Sequence, residues 1–178
     1  MTIVLVSGPC GSGKTSVSQV LAKESPCRLA VHIHSDNFYQ YIRKGYIPPW
    51  QDDSGDQNEI VIRAAAACAE QYALGGYQVY MDGVIGPWFL ENWKNLGKKG
   101  LDIRYVVLRP SRQETVARAM KREKRKDFPL LEENIVKMWE LFQNLGEYER
   151  HVVDTTGQSL EESVRLIQTG LRAGKYQL

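Results

Sequence analysis

An apolar run, Ile3-Val4-Leu5-Val6, leads into Gly8-Pro9-Cys10-Gly11-Ser12-Gly13-Lys14-Thr15, and a helix-compatible stretch, Ser16–Lys23, follows. The segment Gly8–Thr15 matches the Walker A pattern in full. Glycines at this spacing let the backbone curl until several N–H groups face one point, and a helix starting near Lys14 adds its positive dipole end there. Strand, glycine-rich loop and helix in direct succession argue against an incidental glycine-rich turn and restrict the chain to a P-loop α/β fold.

The rest of the chain repeats this alternation. Strands are expected at Ile3–Ser7, Leu29–His34, Gln78–Asp82, Ile103–Leu108 and Val152–Asp154. Helices are expected at Lys14–Lys23, Gln57–Leu74, Arg112–Lys124, Glu132–Leu145 and Leu160–Leu171, with shorter helical pieces at Asn37–Lys44 and Pro87–Leu96. Short apolar strands separated by helices imply right-handed βαβ units and a parallel sheet covered on both faces. The expected architecture is a P-loop NTPase three-layer sandwich, with five parallel strands and helices on both sides. In such sheets ligands bind beyond the C-terminal ends of the strands. The polar residues there are Gly8–Thr15, His34-Ser35-Asp36, Asp82-Gly83, Arg109 and Asp154-Thr155-Thr156.

Composition bounds the function classes. The 178 residues suit a single domain, and no composition break or repeat marks a linker. A net charge of +2 argues against a general nucleic-acid coat, so nucleic acid is not the expected partner. No apolar run approaches a membrane span, and the first residues lack the basic leader and cleavage site of a signal peptide. Cys10, Cys27 and Cys68 form no Cys-x-x-Cys pair, and His32, His34 and His151 supply no zinc-like spacing. Reduced thiols in a cytoplasmic protein follow, with Cys10 a small filler in the phosphate loop. Monomer and homodimer both remain open.

The chemistry of the loop requires a nucleoside triphosphate, expected to be ATP with Mg²⁺. Gly8, Gly11, Ser12, Gly13, Lys14, Thr15 and Ser16 are the expected nucleotide contacts; Lys14 reaches the β- and γ-phosphates, and the Thr15 hydroxyl ligates Mg²⁺. A GTPase would need a guanine-reading Asn-Lys-x-Asp, which is absent, and the formal Asp-x-x-Gly at Asp52–Gly55 lies in a polar loop rather than after a strand. An ATPase motor usually carries Glu after its Walker B Asp, whereas Asp82 is followed by Gly83. A small kinase needs an acceptor-side carboxylate, a basic lid and a base-binding loop, and each has a candidate.

Asp36 follows the second strand, where a carboxylate can take the acceptor hydroxyl's proton and orient its oxygen. It also suits the N-cap of the helix expected from Asn37. Asp82 closes the third strand in the Walker B position, as a Mg²⁺ ligand, a substrate contact, or a turn-stabilising residue before Gly83. The lid is expected around residues 118–131, in the basic run Arg118–Lys126. Arg118 and Arg122 are one turn apart and share a helix face. Arg122 is assigned to the transferring phosphoryl group and Arg118 to the face of the base. The rest of the run is read as a solvated helix end, with RNA contact as its other reading. Asp154–Gln158, including Thr155, either meets the adenine edge or is only a turn leading into the last helix.

The acceptor region, residues 36–58, interleaves aromatic and charged residues. Tyr39, Arg43, Tyr46, Trp50 and Asp52 are candidates for shaping a pocket, with Gly86-Pro87-Trp88-Phe89 as a further wall; ordinary core and loop packing is the alternative for each. Asp36, Tyr39, Arg43, Trp50 and Asp82 are the expected substrate contacts.

With Gly8–Thr15, Ser35-Asp36, Met81-Asp82-Gly83, Leu108-Arg109, Arg118 with Arg122, and Gly146–Glu149 followed by Val153–Thr156, the chain resembles the small P-loop phosphotransferases over nearly its full length. The resemblance is to gluconate-, shikimate- and, most closely, chloramphenicol phosphotransferase-like proteins, including a bacterial group labelled simply ATP-binding or putative kinase. It implies a five-stranded parallel sheet, ATP-dependent phosphorylation of a small-molecule hydroxyl, Asp36 as the base and Arg118 near adenine. His34 departs from the pattern, standing where shikimate kinases have a Mg²⁺-associated Asp. The acceptor region matches neither gluconate nor shikimate kinases. A nucleotide or polynucleotide 5′-hydroxyl kinase and a non-catalytic nucleotide-binding module are the other functions compatible with the sequence.

Overall fold

Ile3, Val4, Leu5 and Val6 are all buried, as a strand covered on both faces requires. In the computed structural model, which describes residues 1–123 and 131–178, they lie in β1 (Thr2–Ser7). The other strands are β2 (Ala30–His34), β3 (Gln78–Asp82), β4 (Asp102–Leu108) and the short β5 (Val152–Val153). They form one parallel sheet in the order β2-β3-β1-β4-β5, the five-stranded sheet expected. Six α-helices connect them among the described residues: α1 (Lys14–Lys23), α2 (Gly55–Leu74), α3 (Leu90–Lys98), α4 (Arg112–Glu123), α5 (Glu132–Leu141) and α6 (Leu160–Arg172).

The two-residue period of the strands sorts the core into two layers. Ile3, Leu5, Val79, Met81, Ile103 and Tyr105 face one side and pack with Ile62, Ala65 and Ala69 of α2 and Trp93 of α3. Val4, Val6, Tyr80, Val106 and Leu108 face the other side, with Val17 and Leu21 of α1 and Val164 and Ile167 of α6. This is the three-layer sandwich. A smaller cluster of Cys10, Ala119 and Ile135 seats α4 and α5 against the phosphate loop.

Several local expectations change. The piece expected as helix over Asn37–Lys44 is a 3₁₀ turn over Ser35–Tyr41, with the chain extended at Ile42. The stretch from Pro87 opens as a 3₁₀ turn, Pro87–Phe89, before α3 begins at Leu90. The fifth helix stops at Leu141 rather than Leu145, because Phe142 tightens onto Trp139 O and Gly146 takes a φ of 59°. Val153 closes β5, leaving Asp154 beyond it. Lys124 and the later basic residues up to position 130 fall outside the described residues.

Gly170 lies in α6, where Ala would ordinarily favour the helix by about 1 kcal/mol. A Cβ at Gly170 would fall 2.4 Å from Cε2 of the buried Tyr176 ring. Overpacking costs about 1–3 kcal/mol, which outweighs the propensity gain. Gly170→Ala should therefore lower stability; unfolding in urea, with an unchanged slope and a lower midpoint, checks it.

Candidate functional site

The phosphate loop joins β1 to α1 by a path that needs its glycines. Gly8, Gly11 and Gly13 have φ values of 143°, 88° and 89°. Side chains at two of them would also collide with neighbours: a Cβ at Gly8 would lie 2.3 Å from Leu108 O of β4, and one at Gly11 2.4 Å from Thr115 O of α4. No side chain caps the N-terminus of α1, so its first-turn N–H groups face the loop's concavity. Lys14 is buried and its Nζ donates to Pro9 O at 3.3 Å. The Ser12 hydroxyl is buried without a partner among the described residues, a polar atom suited to a ligand's oxygen. The curled backbone, the buried lysine and the unsatisfied hydroxyl together fit a polyphosphate.

Asp82, at the end of β3, is fully buried. Thr15 Oγ1 donates to its Oδ2 at 2.6 Å, His34 Nδ1 stands 2.8 Å from the same oxygen, and His32 Nε2 stands 2.5 Å from Oδ1. Burial works against the carboxylate's charge, but the hydrogen bonds from His32, His34 and Thr15 outweigh it and hold Asp82 far below the usual carboxylate range. The reciprocal bond to Asp82 raises His34, against its own burial. A threonine hydroxyl beside an ionised carboxylate is an oxygen donor set that fits Mg²⁺, an ion that takes one or two protein oxygens together with phosphates and water. Asp82 was also expected to contact the substrate. The structure leaves its fully buried side chain outside the residues that line the cavity, one layer behind Thr15 and His34.

The histidine clamp on Asp82 was not anticipated. His32 and His34 alternate on β2 and so share a side of the strand, and register pairs His34 with Asp82. The two-residue spacing was the available signal; the register was not.

Beyond the phosphate loop opens a cavity of about 1050 Å³, lined by Lys14, Thr15, Asp36, Tyr39, Trp50 and Arg122, among others. The Asp36 side chain is about half exposed, with Oδ2 3.6 Å from His34 Nε2. No side-chain cap bond marks the 3₁₀ turn that contains Asp36. Tyr39 donates to Asn58 Oδ1 at 2.9 Å, and Asn58 in turn donates to Pro49 O. Gln57 binds both backbone groups of Ile47, at 2.9 and 2.6 Å. These two polar residues at the start of α2 hang the acceptor loop in place, a function that sequence reasoning missed. Tyr46, Trp50, Trp88 and Phe89 also line the cavity. Arg43 and Asp52 do not: both are exposed and outside the lining, because the chain straightens at Ile42 and turns Arg43 to solvent.

The shared helix face of Arg118 and Arg122 splits between two sites. Arg118 pairs with Glu114, one turn earlier. Arg122 lines the cavity and donates to Cys10 Sγ. Cys10 thus does more than fill space; its N–H also donates to Met138 Sδ of α5 at 3.3 Å. Glu114 accepts from Gly157 N at 3.0 Å, and Ser111 N donates to Thr156 Oγ1 at 2.8 Å. The loop Asp154–Gln158 is therefore docked on the start of α4, with Arg118 alongside. The same loop also turns on itself, Gln158 N donating to Thr155 O at 3.2 Å, and leads into α6, which is capped by Ser159 and Glu162 in a reciprocal capping box. Thr155 is buried with its hydroxyl unpartnered among the described residues. Arg109 serves structure: it forks onto Glu149 at 2.8 and 2.9 Å and reaches Phe142 O.

Among the described residues no three His, Cys, Asp or Glu side chains are grouped to hold a metal unaided, and no helix is long and apolar enough to cross a membrane. No curated protein matches the sequence. Solved structures do share the fold. A gluconokinase from Sinorhizobium meliloti 1021 aligns with a TM-score of 0.66 at 20% identity, over 97% of this chain and 92% of its own. The Deinococcus radiodurans tunicamycin resistance protein aligns with a TM-score of 0.68 at 16% identity, over 99% and 97%. A chain of the Pnkp1/Rnl/Hen1 RNA repair complex aligns with a TM-score of 0.67 at 18% identity, over 84% of this chain, which spans only 46% of it. At these identities the likeness establishes the fold alone. Residues 4–138, from β1 to α5, match the AAA domain family model, and the chain belongs to that family.

Proposed function

We propose that the protein moves the γ-phosphoryl group of ATP, with Mg²⁺, to a hydroxyl of a small molecule. One observation carries this reading: Lys14, Thr15, Arg122 and Asp36 all line a single cavity. That cavity has a phosphate-binding end and a separate carboxylate. The unsatisfied Thr155 hydroxyl and the docked loop beside Arg118 supply a surface for the base. The three free cysteines are consistent with a reducing cytoplasm. We read the chain as one working domain, with a lid around 118–131 and an acceptor region around 36–58, acting as a monomer or homodimer.

In this mechanism the loop N–H groups and Lys14 fix the triphosphate. Thr15 and Asp82 would hold Mg²⁺, which would neutralise phosphate charge when bound. Asp36 accepts a hydrogen bond from the acceptor hydroxyl and aims its oxygen at the γ-phosphorus. As the new P–O bond forms and the bond to the ADP oxygen breaks, the hydroxyl proton passes to Asp36. Lys14 and Arg122 stabilise charge on the transferring oxygens.

The test is a transfer assay with γ-labelled ATP over sugars, antibiotics, nucleosides and RNA 5′ ends, read as labelled product rather than ADP release. Lys14→Ala should keep the fold and cut transfer by about 10²–10³-fold. A folded variant with wild-type ATP affinity and turnover would remove the assignment. Arg122→Ala should cost about a hundredfold in transfer, while Arg118→Ala should act mainly on ATP affinity. Equal small losses at both would return them to a solvated surface.

Asp36 and Asp82 should fail differently. Asp36→Asn should leave ATP affinity within a fewfold and lower single-turnover transfer by about a hundredfold, the low end for a positioned base. Asp82→Asn should shift the Mg²⁺ requirement upward. Magnesium titrations of both variants check the difference, and an unchanged Asp36→Asn rate would eliminate it as the base.

A further inference from the structure

The charges of the cavity are segregated. Lys14 and Arg122 stand at the phosphate end. On α5, Lys137 and Glu140 lie one turn apart and offset each other. The opposite wall is built from residues between 34 and 62 and between 84 and 89; Asp36 is its one carboxylate among the described residues, with His34 Nε2 3.6 Å from Oδ2. The cations of that stretch, Arg43 and Lys44, are exposed and outside the lining.

The same wall offers open aromatic faces. Trp50 is 49% exposed, Tyr46 47% and Trp88 47%, although each lines the cavity. Burial, followed by the Asp36 charge, pushes the Tyr39 and Tyr46 phenols up, so both rings stay neutral and lie within the field of that carboxylate. Ring faces carry negative potential and attract cations. A half-exposed carboxylate repels anions and attracts an ammonium group, and the single imidazole beside it, His34, leaves its second oxygen open.

We infer that the phosphoryl acceptor is an alcohol bearing an ammonium group, held between Asp36 and the half-open rings of Tyr46, Trp50 and Trp88. The inference rests on the phosphotransferase reading and narrows it. In a vicinal amino alcohol the two groups occupy neighbouring carbons, so the two Asp36 oxygens can meet both. One orients the hydroxyl, and the other pairs with the ammonium. Sugar acids and 5′-phosphorylated acceptors are disfavoured at this wall.

Calorimetry on the full chain, saturated with Mg²⁺ and the non-transferable analogue AMP-PNP, tests this with a matched set: phenylalaninol, phenylpropanol and phenyllactate. Phenylalaninol should bind about tenfold more tightly than phenylpropanol, and phenyllactate most weakly. Asp36→Asn should erase the advantage of phenylalaninol over phenylpropanol, and Trp50→Ala should weaken both. Equal binding of the first two, tighter binding of phenyllactate, or no binding of any while AMP-PNP still binds would overturn the inference and leave the nucleotide site standing. Failure of AMP-PNP itself to bind would overturn both.

Discussion

The carboxylate of Asp82 ties the active end of the sheet together. It terminates β3 and receives bonds from Thr15 at the start of α1 and from His32 and His34 on the edge strand β2. Three elements of the fold, α1, β2 and β3, thus meet on one buried anion. A buried charge is costly unless every lone pair is engaged, and here the engagement reaches across the phosphate loop and the sheet edge. Loss of any one partner would leave the others bonded to a poorly compensated charge. The position of Thr15 relative to the sheet, and with it the first turn of α1, depends on this arrangement.

The edge strand gains a second use from the same bonds. His34 bonds Asp82 through Nδ1 and turns Nε2 toward Asp36, at 3.6 Å. The imidazole therefore lies between a fully buried carboxylate and a half-exposed one. Its orientation couples the buried end of β3 to the wall of the cavity. A shorter carboxylate at this position would leave that span open.

Much of this was legible in the sequence, for local reasons. Gly8–Thr15 carries its own strand, loop and helix, and Asp36 and Asp82 follow strands whose apolar runs are plain. The clamp on Asp82 was not legible, because it depends on β2 lying beside β3 in one particular register. The supports from Asn58 and Gln57 depend on long loop contacts that leave no periodic trace. Arg43 and Asp52 looked like pocket residues because they sit among aromatics, yet an irregular loop gives no rule for direction. The helical spacing of Arg118 and Arg122 was right; Glu114 decides that the two guanidinium groups part company.

The contacts of α4 make it a gauge. Its Thr115 carbonyl presses on Gly11 of the phosphate loop, while Glu114, one residue earlier, holds Gly157 of the loop assigned to the base. One helical turn therefore sets the spacing between the phosphate loop and the loop Asp154–Gln158, the two ends at which the proposed reading seats the nucleotide. Neither end can drift without moving that turn, so a compound with a longer or shorter link between base and phosphates meets a fixed length. A substitution at Glu114 would loosen that length without removing any group placed in the transfer.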